Sequence, residues 1–269
     1  MLRAVGDDDQ PTTLRRLLSA VRRRVIGRLY PVNGLRGVFD TFEAARLSAP
    51  KHKPVGYDDA GTAAWYSEKF DEIWLEDYPA LFWLQRGLVS GGQVLEIGGH
   101  VGQAFYAFSR FLETPREFTW TILDVPSIAQ EGRRIAEERG AANLNFVEKL
   151  DAVSEADVVF AAGSLQYINR PILIDTIRSV ERKPEYVIVS NTPIYDGKPF
   201  ITLQNIGTAF CAYRIFNRSE MLAALQDEGY ELIDSWHKPR KVRIPKRPDL
   251  NFDHYSGLCF RREESAPPV

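Results

Sequence analysis

Cysteine and histidine are both scarce in this chain. Its two cysteines, Cys211 and Cys259, stand far apart and share no metal-ligand spacing, which argues against a disulfide scaffold and against a zinc site. No apolar run approaches the roughly 20 residues that a membrane-crossing helix needs. The N-terminus has no apolar core of the kind a secretory leader carries. Charge of one sign is missing too. The 34 Lys and Arg against 36 Asp and Glu leave a net charge of −2, which argues against a nucleic-acid binder. Internal repeats are absent. These absences make a cytoplasmic protein the expectation, and a hydrophobic content of 44% supplies a core. A length of 269 residues suits one large domain, or one domain with an appendage.

What is present is order along the chain. Over 14–29, Leu14, Leu17, Leu18, Val21, Val25 and Leu29 recur at helical spacing among six arginines. This predicts a basic amphipathic helix. It lies either on an anionic membrane surface or on the main domain with its arginines in water. Residues 34–60 read as helix plus loop. Residues 62–88, rich in Trp, Tyr and Phe, read as aromatic helices that Pro79 bends or divides. The expectation is a helical extension over 1–88 and a main domain over 89–265.

From residue 93 strands and helices alternate. Strands are expected at Val94–Ile97, Trp120–Leu123, Leu144–Val147, Asp157–Ala161 and Tyr186–Ser190. Helices are expected at Gln103–Leu112, Ile128–Arg139 closed by Gly140, Pro171–Val180, and Ser219–Glu228 with Ser219 as N-cap. Tyr230–Trp236 and Gly257–Arg261 have no helix between them, so they are expected to be antiparallel. The pattern predicts an α/β fold: a doubly wound, Rossmann-like, mostly parallel sheet with an antiparallel last strand, plus the N-terminal helical extension. The long polar segment Asn191 to Arg218 reads as a lid or acceptor wall, or else as a solvated loop over the sheet.

In such a sheet a ligand lies outside the carboxyl ends of the strands. The first expected strand runs through Glu96 into Gly98-Gly99-His100-Val101-Gly102 and then a helix. Bare amides and a helix N-terminus therefore meet at a strand end. The spacing is not G-x-G-x-x-G, and the acidic residue precedes the glycines, which favours a cofactor with a cationic, phosphate-free end over a dinucleotide. Glu96 either steadies that cation or fixes the loop. Asp124, 22 residues beyond Gly102, either takes both ribose hydroxyls or caps the next helix. Asp151 or Glu148 is placed to meet a base edge, and Gly163 and Ser164 lie where backbone approaches the ligand closely.

The order Glu96-x-Gly98, Asp124, and a strand leading to Ser164-Leu165-Gln166-Tyr167 resembles the class I S-adenosylmethionine-dependent methyltransferases. More narrowly it is similar to a bacterial group encoded among surface-polysaccharide genes. That likeness runs through Gly37-Val38-Phe39, Gly56-Tyr57-Asp58, Ser190-Asn191-Thr192-Pro193, Tyr213–Arg218 and Tyr255-Ser256-Gly257-Leu258, across roughly residues 36–262. His100 departs from the family's pattern, since glycine is usual there. The resemblance implies S-adenosyl-L-methionine as cofactor and a small-molecule or glycan acceptor, with no metal. It implies cofactor contacts from Glu96, Gly98, Gly99, His100, Gly102, Asp124, Asp151, Gly163 and Ser164. A hydroxyl acceptor must also lose a proton. His254 is the first candidate base because it precedes the last expected strand in a polar loop. His100, Asp196 and His237 are the others, and Tyr167 is an orienting group.

Overall fold

The computed structural model describes residues 30–58, 72–88, 92–113 and 118–263. The expected basic helix over 14–29 and most of the aromatic stretch before residue 72 lie outside them. The elements in chain order are β1 (Leu35–Phe39), α1 (Phe42–Leu47), α2 (Tyr78–Gly87), β2 (Gly92–Ile97), α3 (Gln103–Phe108), β3 (Phe118–Leu123), α4 (Pro126–Arg139), β4 (Leu144–Val147), β5 (Val158–Ala162), α5 (Ile172–Ser179), β6 (Tyr186–Thr192), β7 (Ile194–Tyr195), β8 (Phe200–Asn205), β9 (Phe210–Asn217), α6 (Arg218–Asp227), β10 (Tyr230–Val242) and β11 (Phe252–Arg262).

Seven strands form the main sheet in the order β4-β3-β2-β5-β6-β11-β10. The first five are parallel, and β11 runs antiparallel between β6 and β10. The chain winds one way from β2 to β3 and β4 and the other way to β5 and β6, so the switch point lies between β2 and β5. A ligand crevice forms at such a point. Both faces of the sheet are covered, which is why its strands read as apolar runs. On one face Val94, Trp120, Phe160 and Ile188 meet Leu84 of α2, Phe105 and Phe108 of α3 and Ala129 of α4. On the other, Leu95, Val159, Val187 and Phe260 meet Ile172, Leu173 and Ile177 of α5 and Leu225 of α6.

Several expectations are corrected here. Residues 34–60 open with a strand, and β1 pairs antiparallel with β8. The segment before residue 89 is therefore not purely helical, and it shares a sheet with the main domain. Pro79 sits in the first turn of α2, where its missing N–H leaves nothing unsatisfied, so it does not bend that helix but marks its start after the turn at Leu75–Asp77. The N-cap of α6 is Asn217, whose side chain accepts the Glu220 N–H at 2.7 Å, and not Ser219. The segment from Asn191 to Arg218 is not a solvated loop. It supplies β7, β8 and β9 of a second sheet, ordered β1-β8-β9-β7. One face of this sheet takes Phe42 and Ala45 of α1, and the other meets Val242, Ile244 and Tyr255 around the β10–β11 hairpin.

Candidate functional site

Gly98 follows β2 with φ of +69°, a conformation that L side chains resist. Its N–H donates to the Leu123 carbonyl at the end of β3, at 2.8 Å. A Cβ at this position would overlap the Ser164 Cβ. The Ser164 hydroxyl in turn donates to the Ile97 carbonyl, so the ends of β2, β3 and β5 are locked at one point. Gly99 lies against the Glu96 carboxyl, and Gly102 is the N-cap of α3. His100 has φ of +55°, a left-handed conformation that glycine adopts freely. Histidine enters that region more readily than most residues.

Asp124 ties this loop to the next one. Its Oδ1 accepts the Val125 N–H at 2.7 Å, and its Oδ2 accepts the His100 N–H at 2.9 Å. It does not cap α4, whose N-cap is Val125. Burial pushes its carboxyl up to about 6 against those two bonds. Glu96 is 2% exposed and accepts the Trp120 indole N–H at 2.8 Å. Burial pushes it up to about 8, and Asp124 adds to the rise. A carboxyl raised in this way favours the fold while protonated. The contribution is whole below the ordinary carboxylate range and is lost as pH rises through about 8. Glu96→Gln is neutral at every pH and can still accept the indole bond. It should melt close to wild type at pH 5 and become relatively more stable by about 4 kcal/mol at pH 9. Thermal melts across that range check this. A constant difference would mean that the carboxyl is already ionised at neutral pH.

A cavity of about 940 Å³ opens at the carboxyl ends of β2 to β5. Of the residues expected at a site, Gly98, Asp124, Asp151, Gly163, Ser164 and Tyr167 line it together, as does Glu148. Glu96, Gly99, His100 and Gly102 stand behind the lining and shape the loop. Sequence reasoning gave no role to Tyr57, Ile168, Arg170 or Asp175, which also line the cavity. Tyr57 and Tyr167 form one wall, with ring centroids 5.2 Å apart. The Tyr167 hydroxyl donates to the Gln204 Oε1 at 2.6 Å, and its ring meets Tyr213 edge-on at 5.1 Å. The second sheet thus fixes the orientation of this wall. Tyr57 also meets His100 edge-on at 6.1 Å.

His254 and Asp196 do not line the cavity, which corrects their expected place. Residue 254 lies within β11, opposite Pro239, and not in a loop. Its ring lies 3.9 Å from that of His237, and burial together with His254 and Arg218 holds the His237 pKa below the ordinary imidazole value, with Asp196 opposing.

No protein-family model matches the sequence, and no curated protein is significantly similar to it. Solved structures share its fold. One is a Burkholderia thailandensis 1,6-didemethyltoxoflavin-N1-methyltransferase with bound 1,6-didemethyltoxoflavin and S-adenosylhomocysteine. It is 18% identical, the match covers 97% of this chain and 99% of that one, and the TM-score is 0.50. Another is the magnesium protoporphyrin IX methyltransferase of Synechocystis with bound S-adenosylmethionine, 14% identical over 77% of this chain and 93% of that one, also at TM-score 0.50. The same enzyme with S-adenosylhomocysteine matches equally well. The fold is the Rossmann-like fold of these S-adenosylmethionine-dependent methyltransferases.

Proposed function

We propose that the protein is an S-adenosylmethionine-dependent methyltransferase acting on a hydroxyl of a sugar or glycoconjugate. The junction of the Gly98–Gly102 loop with Asp124 carries this reading, because it puts a carboxylate and a tight glycine turn on one cavity at the switch point of the sheet. The lining suits the cofactor. Leu123, Val125, Leu150 and Ile168 give apolar walls for a purine, with Asp151 at their edge. Asp124 offers acceptor oxygens to two ribose hydroxyls. Two of the cations in the lining are already engaged, Arg170 by Asp175 at 2.8 Å and Arg178 by Glu228. That arrangement does not favour a pyrophosphate.

S-adenosylmethionine, when bound, supplies a methyl group already activated on a sulfonium, so orientation is the larger part of what the chain must add. Asp124 binds, and the Gly98–Gly102 backbone lets the ligand lie against the main chain. Tyr57 and Tyr167 present aromatic faces beside polar groups, a combination that suits a sugar. A second reading, a small hydroxylated metabolite as acceptor, draws on the same tyrosine wall and on the small molecule held by the Burkholderia protein.

Calorimetric titration with S-adenosylhomocysteine and with NAD tests the reading. Binding of the first and not the second is expected. Failure to bind S-adenosylhomocysteine, or binding of NAD in its place, would overturn it. A methyl-transfer screen over nucleotide sugars, lipid-linked sugars, finished glycans and small hydroxylated metabolites then separates the two acceptor classes.

A further inference from the structure

A second cavity, of about 770 Å³, adjoins the first and shares Arg170 and Ile172 with it. It lies between β8 and β9 of the second sheet and helices α5 and α6. Four cations line it: Arg170, Lys198, Arg214 and Arg247. Two of these have carboxylate partners already, Arg170 with Asp175 at 2.8 Å and Arg247 with Asp249 at 2.7 Å. The carboxylates in the lining, Asp40 and Glu220, are exposed and solvated at the rim.

Arg214 differs from the rest. Its guanidinium carbon lies 5.2 Å from the Phe42 ring centroid and 5.8 Å from that of Phe216. Among the described residues no carboxylate pairs with it, and burial lowers its pKa with no opposing charge. The rings contribute cation–π attraction. Neither ring brings a negative charge to neutralise the guanidinium. A half-buried cation whose in-plane donors lack an anionic partner is matched to a ligand that brings the charge. Lys198, exposed nearby, adds a point charge that is likewise unpaired among the described residues.

We propose that this second cavity is an oxyanion site, which takes a phosphate- or carboxylate-bearing small molecule on Arg214 with Lys198 in support. Arginine's planar fork grips either group through two parallel bonds, and the lysine adds attraction without fixed geometry. The site is separate from the first cavity but shares Arg170 and Ile172 with it.

The test is calorimetric titration of the full chain with pyrophosphate and with malonate, at low and high salt. Wild type, Arg214→Gln and Lys198→Gln are compared, and each is also titrated with S-adenosylhomocysteine. Wild type should bind at least one of the two anions, more weakly at high salt. Arg214→Gln should bind that anion at least tenfold more weakly, and Lys198→Gln severalfold more weakly. Preference for pyrophosphate or for malonate identifies the phosphate or the carboxylate source. Lys198 is exposed, so its variant folds even if Arg214→Gln does not, and it then decides the matter alone. Equal anion binding by wild type and the folded variants, or no binding of either anion by wild type, would overturn the proposal. S-adenosylhomocysteine affinity should stay unchanged in both variants. Its absence in wild type would count against the methyltransferase reading and not against this site.

Discussion

Replacing Asp124 with alanine is expected to weaken S-adenosylhomocysteine binding about a hundredfold. The estimate rests on two lost hydrogen bonds to a charged acceptor, at roughly 1.5 kcal/mol each, where 1.4 kcal/mol is tenfold in affinity. The substitution does further damage to the loop. It leaves the Val125 and His100 N–H groups, which the carboxylate now accepts, without that partner. Asp124→Asn separates the two effects in part, since its single carbonyl oxygen can accept only part of what the carboxylate accepts. A pH dependence follows from the raised carboxyl. Ribose hydroxyls donate to the ionised form, so wild-type affinity should fall as pH drops through about 6 and level off above it. Asp124→Ala should lose this dependence. Calorimetry from pH 5 to pH 8 reads both quantities. A wild-type affinity flat across that range would show that the cofactor does not use this carboxylate.

The part of the site that includes Asp124 was legible in the sequence because it belongs to the parallel sheet. Strands covered on both faces are apolar throughout, and they stop where polar and glycine residues begin. Reading the strand ends of β2 to β5 therefore put Gly98, Asp124, Asp151, Gly163, Ser164 and Tyr167 on one edge, and the structure gathers those residues around one cavity. The second sheet was not legible, for reasons that can be named. In β1 the register shifts between Arg36 and Phe39, so there is no alternation to find. In β8 the polar residues Thr202, Gln204 and Asn205 are all buried, and they read as loop. Gln204 accepts from Tyr167, and Asn205 accepts from Lys53 at 3.0 Å and donates to the Tyr30 carbonyl at 2.7 Å. Those partners come from distant parts of the chain, which no local pattern reveals. The length of β10 was hidden by Pro239 and its basic neighbours. Both are tolerated because β10 is the edge of the main sheet, where an absent N–H and exposed charges do no harm. The same misreading put His254 in a loop and made it a candidate base, when β11 already extends past it. Arg170 carries no motif, the Gly56-Tyr57-Asp58 segment gave no role to its tyrosine, and only the tertiary fold brings the two residues to the cavity.

The largest loss of stability is expected from Gly98→Ala. Two terms add. The left-handed backbone costs an L residue about 1–2 kcal/mol, and the new methyl overlaps the Ser164 Cβ, an overpacking worth about 1–3 kcal/mol. The sum is about 2–5 kcal/mol, which in a chain of this size lowers the melting temperature by roughly 4–20 °C. Gly140→Ala isolates the first term. Gly140 closes α4 with φ of +66°, nearly the same conformation, but a Cβ there meets nothing within 4 Å. Its substitution should therefore cost about 1 kcal/mol and leave S-adenosylhomocysteine affinity intact. The gap between the two variants measures the contact between the ends of β2 and β5. Ser164 cannot yield without losing its hydroxyl bond to the Ile97 carbonyl, so relief must come from movement of the glycine loop. That movement would carry His100 away from Asp124 and distort the proposed cofactor site. Gly98→Ala should accordingly lose most of its S-adenosylhomocysteine affinity even at temperatures where it remains folded. Thermal melts and calorimetry on the pair check this, and equal behaviour of the two alanine variants would refute the close contact at Ser164.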